Sequence, residues 1–262
     1  MAKLAFLPLA LLLCLILGSL GSLLARLDAD LLRAILTDPE VLFAVKMSVG
    51  TAMTSLFLAV LISLPAAWAM SRCSFPGKRL FNLVLDLPMV TPPMVVGIGL
   101  LLLLGSQGPF SQLAPGLAAR LFSPLGVIIA QTYVASSIFT RSAVSAFSAL
   151  DANYVHTAYN LGLTPAKSFF LVEIPLCWRP LMGGCILALA RALGEFGGTL
   201  MLAGATRLKT ETLPMAIYLN IASGDFNTAV ACAVLLICIA ALLLMCLHFF
   251  QSSGDKTDAR AA

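Results

Sequence analysis

Six stretches of mainly apolar residues, each close to the length of a membrane-crossing helix, set the strongest limit on how this chain folds. An α-helix needs about 20 such residues to cross the hydrocarbon layer of a bilayer. The stretches cover roughly residues 4–24, 45–70, 80–104, 124–148, 181–204 and 228–250. The composition agrees, since 60% of the 262 residues are hydrophobic and 11% are charged. We therefore predict an all-α polytopic membrane protein with six transmembrane helices.

The apolar pattern also divides the chain into three parts. Residues 1–44 form an N-terminal helix with an outer loop, residues 45–250 form the core, and residues 251–262 form a short polar tail. The first apolar stretch exceeds the ~7–15 residues found in the apolar region of a signal peptide. We therefore expect it to be a retained transmembrane helix.

Basic residues between the second and third stretches predict the orientation. Arg72, Lys78 and Arg79 lie in a short connection that contains no acidic residue, and such a positive bias places a connection in the cytosol. Alternation then puts both termini and the segment Leu150–Pro180 on the cytosolic side. The segments near residues 28–40, 106–123 and 206–227 face outward.

The third stretch contains residues that interrupt a helix. Pro88, Pro92 and Pro93 lie within it, and proline removes a backbone donor and disturbs the helix that precedes it. At membrane depth the freed carbonyl groups need protein or water as partners. We predict a bend here, and both a bent packing helix and a helix that lines a pathway fit the sequence.

Charged residues within the stretches are the next signal, because a charge inside the bilayer is costly. Arg191 and Glu195 are four residues apart, on one face of the predicted fifth helix. A salt bridge that locks the helix bundle is the favoured interpretation, and a direct contact with substrate is the alternative. Gly197 permits close helix approach or a local break. Asp86 and Arg141 lie near span ends and reach the interface, and Asp86 is a second candidate partner for Arg191.

The sequence carries no signature of catalysis. It lacks the phosphate-loop pattern GxxxxGK[ST] and the HExxH and GxSxG patterns, and its seven cysteines include no CxxC pair. No dense basic patch suits nucleic acid. We therefore expect no catalytic site, cofactor or metal on this chain, so an ion gradient or an ATPase on another chain must drive any uphill transport.

The predicted cytosolic segment contains the run HTAYNLGLTPAKSFFLVEIPL. Its spacing resembles the EAA loop of the permease subunits of binding-protein-dependent ABC importers, which has E-A-A, three residues, G, nine residues, I, one residue and L-P. His156 and Thr157 depart from the first two positions of that pattern. The matching positions are Ala158, Gly162, Val172, Ile174 and Pro175.

The resemblance implies that this segment contacts a transport ATPase. A short amphipathic helix can lay its apolar face in a groove of a soluble partner, and we expect Val155, Ala158, Tyr159 and Leu161–Leu163 to supply that face. Gly162 is expected to end or bend the helix, and Pro175 is expected to start the next span. Without the resemblance, an amphipathic loop on the membrane surface fits equally well. The predicted coupling residues are His156, Ala158, Tyr159, Gly162, Leu163, Lys167 and Pro175.

Longer strings extend the resemblance over residues 45–250. LDLPMVTPPMVVGIGLLLLLG is similar to the third span of molybdate and sulfate permeases, whereas RALGEFGGTLMLAG and TETLPMAIYLNIASGD are similar to molybdate or tungstate members. This likeness implies the type I permease fold of ABC importers, with the coupling segment at about 150–180. A sulfate or thiosulfate permease is the alternative within the family. In another class, an ion-coupled secondary transporter would use Asp86, Arg191 and Glu195 as a relay.

The resemblance also implies partners and a location. We expect a homodimer in the prokaryotic cytoplasmic membrane, clamped by two cytosolic ABC ATPase subunits that bind ATP and Mg. An extracytoplasmic oxyanion-binding protein would dock near Pro109–Pro115 and Arg207–Asp225. Pro92, Pro93 and Gly197, together with Asp86, Arg191 and Glu195, are the candidates for lining the pathway or locking the bundle during alternating access.

Overall fold

The computed structural model describes residues 2–26, 37–111 and 115–258, and its regular secondary structure there is helical. Part of the predicted outer loop at 27–36 and the end of the tail at 259–262 lie outside these residues. A single helical turn covers Pro115–Ala118. The helices are α1 Ala2–Leu24, α2 Pro39–Arg72, α3 Lys78–Val90, α4 Pro93–Leu104, α5 Pro124–Ala149, α6 Ala152–Asn160, α7 Pro165–Leu176, α8 Trp178–Leu193, α9 Gly197–Ala203, α10 Leu213–Ala222 and α11 Phe226–Asp258.

Two of the described helices, α2 and the part of α11 at Phe226–Leu247, are long and apolar enough to cross a membrane alone. Two bent pairs raise the number to as many as four, so the six predicted spans stay a prediction. In the first pair, α3 and α4 meet at 115°, which confirms the bend predicted at the prolines. In the second, α7 and α8 meet at 77°.

Helices α2 and α5 pack along their length and form the centre of the molecule. Their contact is lined by small buried residues, including Ala52, Ala59 and Ala135, which let two helix backbones approach closely. Polar side chains add bonds across the contact. Ser55 donates to the carbonyl of Ile128 at 3.1 Å. This pair therefore forms a firm scaffold on which the other elements are placed.

The remaining helices pack around this scaffold. Helix α8 lies against α5 and α2, α9 packs on α4 and α5, and α10 packs on α11 and α2. The backbone N–H of Leu213 at the start of α10 donates to Ser48 Oγ of α2 at 2.7 Å. Helix α1 packs beside α11 and keeps large apolar side chains such as Leu11 and Leu15 exposed. Such a surface suits contact with lipid.

The fifth apolar stretch differs from the continuous span that its bounds predict. Helix α8 ends at Leu193, and α9 resumes at Gly197. Gly194 closes α8, because its N–H donates to the carbonyl of Ala190 at 3.2 Å. The local break that the glycines permitted is therefore present, and it places Glu195 between two helices.

Candidate functional site

The end of α6 explains the glycine in the predicted coupling segment. Gly162 has a φ of +82°, a conformation that glycine adopts far more readily than other residues. Its N–H donates to the carbonyl of Tyr159 at 2.9 Å, and the N–H of Leu163 donates to the carbonyl of Ala158 at 3.1 Å. These two bonds form a Schellman cap. Gly162 therefore ends the helix, as predicted.

The exposed face of α6 differs from the predicted one. Val155 and Ala158 are 7% and 3% exposed, so these two residues do not face a partner. Lying three residues apart, they share one side of the helix, and α6 packs against α7. Tyr159 and Leu161 of the predicted set are exposed, and the other exposed side chains include Tyr154 and His156. This mixed aromatic and polar face is the surface available to a soluble partner.

Lys167 and Pro175 both lie in α7. The Thr164 hydroxyl accepts the backbone N–H of Lys167 at 3.4 Å, which caps the start of α7, and Lys167 itself is exposed. Pro175 does not start the next span, contrary to the prediction. It lies in the last turn of α7, and the chain bends at Cys177 before α8 begins at Trp178.

A buried carboxylate joins α7 to the end of α2. Glu173 is fully buried. Its Oε1 accepts the indole N–H of Trp68 at 3.0 Å, and its Oε2 accepts Nε–H of Arg72 at 2.9 Å. The ring of Phe169 packs on Trp68 with centroids 5.7 Å apart. Charge-assisted bonds of this kind are about twice as strong as neutral ones, so α7 and α2 are fastened together here.

The two helix breaks lie against each other. Pro92 and Pro93 stand at the start of α4, and Gly197 stands at the start of α9. A Cβ atom added to Gly197 would lie 2.9 Å from the Cβ atom of Pro93. This spacing leaves no room for a side chain, so glycine is required. The structure therefore brings Pro92, Pro93 and Gly197 into one site.

The predicted ion pair forms at this site. Glu195 Oε2 accepts a hydrogen bond from Arg191 NH1 at 2.7 Å, and its Oε1 accepts the backbone N–H of Gly198 at 2.8 Å. The side chain of Glu195 is 1% exposed and that of Arg191 is 35% exposed. The carboxylate also stabilises the positive end of the α9 dipole. Glu195 lies in the break rather than on a continuous helix, which corrects the predicted geometry.

A cavity of about 370 Å³ opens beside this ion pair. Arg191 lines it together with Thr91, Pro92 and Ser137. Because a water molecule takes up about 30 Å³ in the liquid, this space is large enough for a small hydrated ion. Arg191 therefore both pairs with Glu195 and lines a partly polar cavity.

Asp86 does not reach Arg191. It pairs with Arg141 of α5 instead, because the bend after α3 lays that helix beside α5. The two side chains are 38% and 44% exposed. The predicted pairing of Asp86 with Arg191 is therefore wrong. Nor do the described residues bring three His, Cys, Asp or Glu side chains together as a metal site.

The segment between α9 and α10 is fixed by polar contacts. Arg207 pairs with Glu40 at the start of α2 and donates to Asn220 Oδ1 at 3.2 Å. Glu211 is 1% exposed, and this burial raises the pKa of its carboxyl. One of the two predicted docking segments is thus held in place. In the other, residues 112–114 lie outside the described part of the chain.

Comparisons with known proteins give a consistent result. Residues 59–254 match the family described as binding-protein-dependent transport system inner membrane component. The molybdenum transport system permease protein ModB of Mycobacterium tuberculosis is 36% identical over 222 residues, which are 84% of this chain and 83% of that protein. The sulfate transport system permease protein CysT of Salmonella typhimurium is 28% identical over 219 residues, or 83% and 79% of the two chains.

A solved structure resembles the whole fold. It is a bacterial ABC transporter involved in the import of the acidic polysaccharide alginate, with a TM-score of 0.75 and 14% sequence identity. The match covers 97% of this chain and 95% of that one. At this identity the likeness concerns the fold alone, and it confirms the predicted all-α permease architecture.

Proposed function

This chain belongs to the binding-protein-dependent transport system inner membrane component family, and we propose that it is the membrane-spanning permease subunit of an ATP-driven importer of molybdate or tungstate. The observation that carries the substrate assignment is the 36% identity to a molybdenum permease over 84% of the chain. Similarity to a sulfate permease is lower, at 28% over 83% of the chain, so sulfate is the second candidate.

The proposed assembly contains two copies of this chain in the cytoplasmic membrane. Two cytosolic ATPase subunits bind ATP and Mg and contact the exposed face of α6. A binding protein delivers the oxyanion to the opposite face, near Arg207–Asp225. Both termini lie in the cytosol. ATP and the loaded binding protein then bias the bundle between two packings of similar energy, which gives alternating access.

The contacts of α7 give a physical route from the ATPase to the bundle. Helix α6 packs on α7, and Glu173 in α7 holds Trp68 and Arg72 at the end of α2. Helix α2 in turn packs along α5. A displacement of α6 by the ATPase therefore reaches the centre of the bundle through α7, in which the buried carboxylate of Glu173 forms the polar contact with α2. We assign Glu173 a positioning role in coupling.

Replacing Glu173 by glutamine is expected to lower binding-protein-stimulated ATP hydrolysis by about tenfold. The neutral side chain loses a charge-assisted bond worth roughly 1.5–3 kcal/mol, and it leaves Arg72 partly buried without its ion pair. The measurement uses the reconstituted complex. Asp151→Asn is the matched control, because it removes a negative charge from the same segment while asparagine still caps α6. Equal hydrolysis in the two variants would contradict the role of Glu173.

The test of the transport function is radiolabelled uptake into proteoliposomes that contain the permease, its ATPase and its binding protein. We expect molybdate uptake that requires ATP inside the vesicle, is inhibited by tungstate and is unaffected by excess sulfate. Inhibition by sulfate at equal concentration would assign the chain to the sulfate branch. Uptake that needs an ion gradient and no ATP would replace the importer with a secondary transporter.

A further inference from the structure

We propose that a groove between α5 and α8 is the exit path of the transported oxyanion, with Arg191, Arg141 and Arg179 as its successive contacts. This inference rests on the proposed transport of an oxyanion. It adds two arginines and one helix face to the site at the helix breaks. The groove leads from the cavity beside Arg191 towards the coupling segment, because α5 ends and α8 begins next to α6 and α7.

A row of residues at intervals of four links the two arginines of α8. Arg179, Gly183, Leu187 and Arg191 follow one another along it, and each is next to the last on the helix surface. Because a step of four residues turns by about 40° at 3.6 residues per turn, the row winds part of the way round the helix. At 1.5 Å per residue, the two arginines are about 18 Å apart along the axis. The row therefore runs from the helix break to the first turn of α8, with Arg179 about 120° round the helix from Arg191.

Helix α5 supplies the opposite wall with the same period. Ser137, Arg141 and Ser145 follow at intervals of four residues. Ser137 lines the cavity that holds Arg191, while Arg141 and Ser145 line a larger groove of about 690 Å³ together with Arg179. The cavity and the groove therefore follow one another along this row of α5 residues.

The charges in this groove suit passage of an anion rather than its retention. Glu195 pairs with Arg191 and Asp86 pairs with Arg141. Within the described part of the chain, Arg179 makes no salt bridge. The groove therefore carries a small excess of positive charge. This excess is largest near the coupling segment, where Arg179 lies. A conducting path needs several weak sites that an ion can both enter and leave, and carboxylate-paired arginines meet that requirement.

The groove is open on one side in the single chain, with Arg141 44% exposed. Arginine side chains on a membrane span face protein or a water-filled space, or reach the interface, rather than lying in lipid. The second copy proposed above supplies the missing wall. An anionic lipid headgroup shares the charge of an oxyanion, so the experiment must separate these two ligands.

The test compares uptake with ATP hydrolysis in the reconstituted transporter. We expect Arg179→Gln to lower molybdate uptake by about tenfold, since charged clefts raise the local concentration of counter-ions by at least that factor. Arg179→Lys should retain most uptake, and stimulated ATP hydrolysis should change less than twofold in both variants. Arg79→Gln, at an exposed arginine outside the groove, is the control. Normal uptake with Arg179→Gln would overturn the exit path and leave the importer function intact, whereas absence of molybdate uptake in the unmodified protein would overturn the function itself.

A second measurement does not depend on molybdate transport. In a variant without native cysteines, Ser145→Cys is treated with thiol reagents of similar size that carry a negative or a positive charge. We expect faster reaction with the anionic reagent, loss of this preference with Arg179→Gln, and protection by molybdate in vesicles of neutral lipid. Protection by phosphatidylglycerol vesicles and not by molybdate would make the groove a lipid site. Equal rates with the two reagents would contradict an anion path.

Discussion

Replacing Gly162 by aspartate is expected to abolish binding-protein-stimulated ATP hydrolysis while membrane insertion is retained. A Cβ atom at this position would meet nothing within 4 Å, so the substitution acts through the backbone rather than through a clash. A non-glycine residue held at φ +82° is strained by roughly 1–2 kcal/mol. That strain opposes the Schellman cap and displaces the exposed Tyr159 and Leu161 from the face that we propose contacts the ATPase.

The measurement is ATP hydrolysis by the complex with and without loaded binding protein, together with membrane content of the variant. Gly77→Asp is the matched control, since Gly77 also has a positive φ of +85° with nothing within 4 Å of its Cβ position and lies outside the coupling segment. Gly162→Ala separates backbone strain from the added charge and should lose part of the stimulation. Unchanged stimulation with Gly162→Asp would contradict the coupling role of this turn.

The features that the sequence predicted correctly are those that local chemistry determines. Gly162 ends α6 because two backbone bonds need a positive φ at that residue. The bend before α4 follows from consecutive prolines, Pro92 and Pro93, whose rings exclude a continuous helix. Arg191 and Glu195 pair because a spacing of four residues brings their side chains within reach, even across a helix break.

The features that the sequence could not predict depend on distant partners. Glu173 bonds to Arg72, which lies 101 positions earlier. The one sign of this contact in the sequence is an isolated acidic residue within the apolar run FFLVEIPL. Val155 and Ala158 are apolar, but periodicity does not say whether an apolar side faces the same chain or another protein. Asp86 pairs with Arg141 rather than Arg191, because the bend after α3 places α3 beside α5.

The breaks before α4 and α9 also explain why the ion pair belongs at this point of the bundle. Each break frees backbone groups, which at membrane depth need protein or water as partners, and Glu195 satisfies the N–H of Gly198 at the start of α9. The carboxylate cannot remain there alone, since it is 1% exposed and a buried charge requires a partner. Arg191 supplies that partner, is 35% exposed and is one of the residues that line the cavity.

Replacing Arg191 by alanine is therefore expected to destabilise the fold. Removing one partner of a buried ion pair costs about 3–5 kcal/mol, and the partial exposure of Arg191 places the expected loss near 3 kcal/mol. For a chain of this size, that loss lowers the melting temperature by roughly 6–12 °C. Thermal unfolding of the purified protein in detergent measures it. A variant as stable as the original protein would contradict the proposed pairing.

A double variant separates the locking role of Arg191 from its proposed contact with the anion. In Arg191→Ala with Glu195→Gln, the neutral amide still accepts the N–H of Gly198 and no longer needs a cation, so most of the lost stability should return. Molybdate uptake by this double variant should nevertheless stay low, because the first contact of the exit path is missing. Recovery of both stability and uptake would reduce Arg191 to a residue that only locks the bundle.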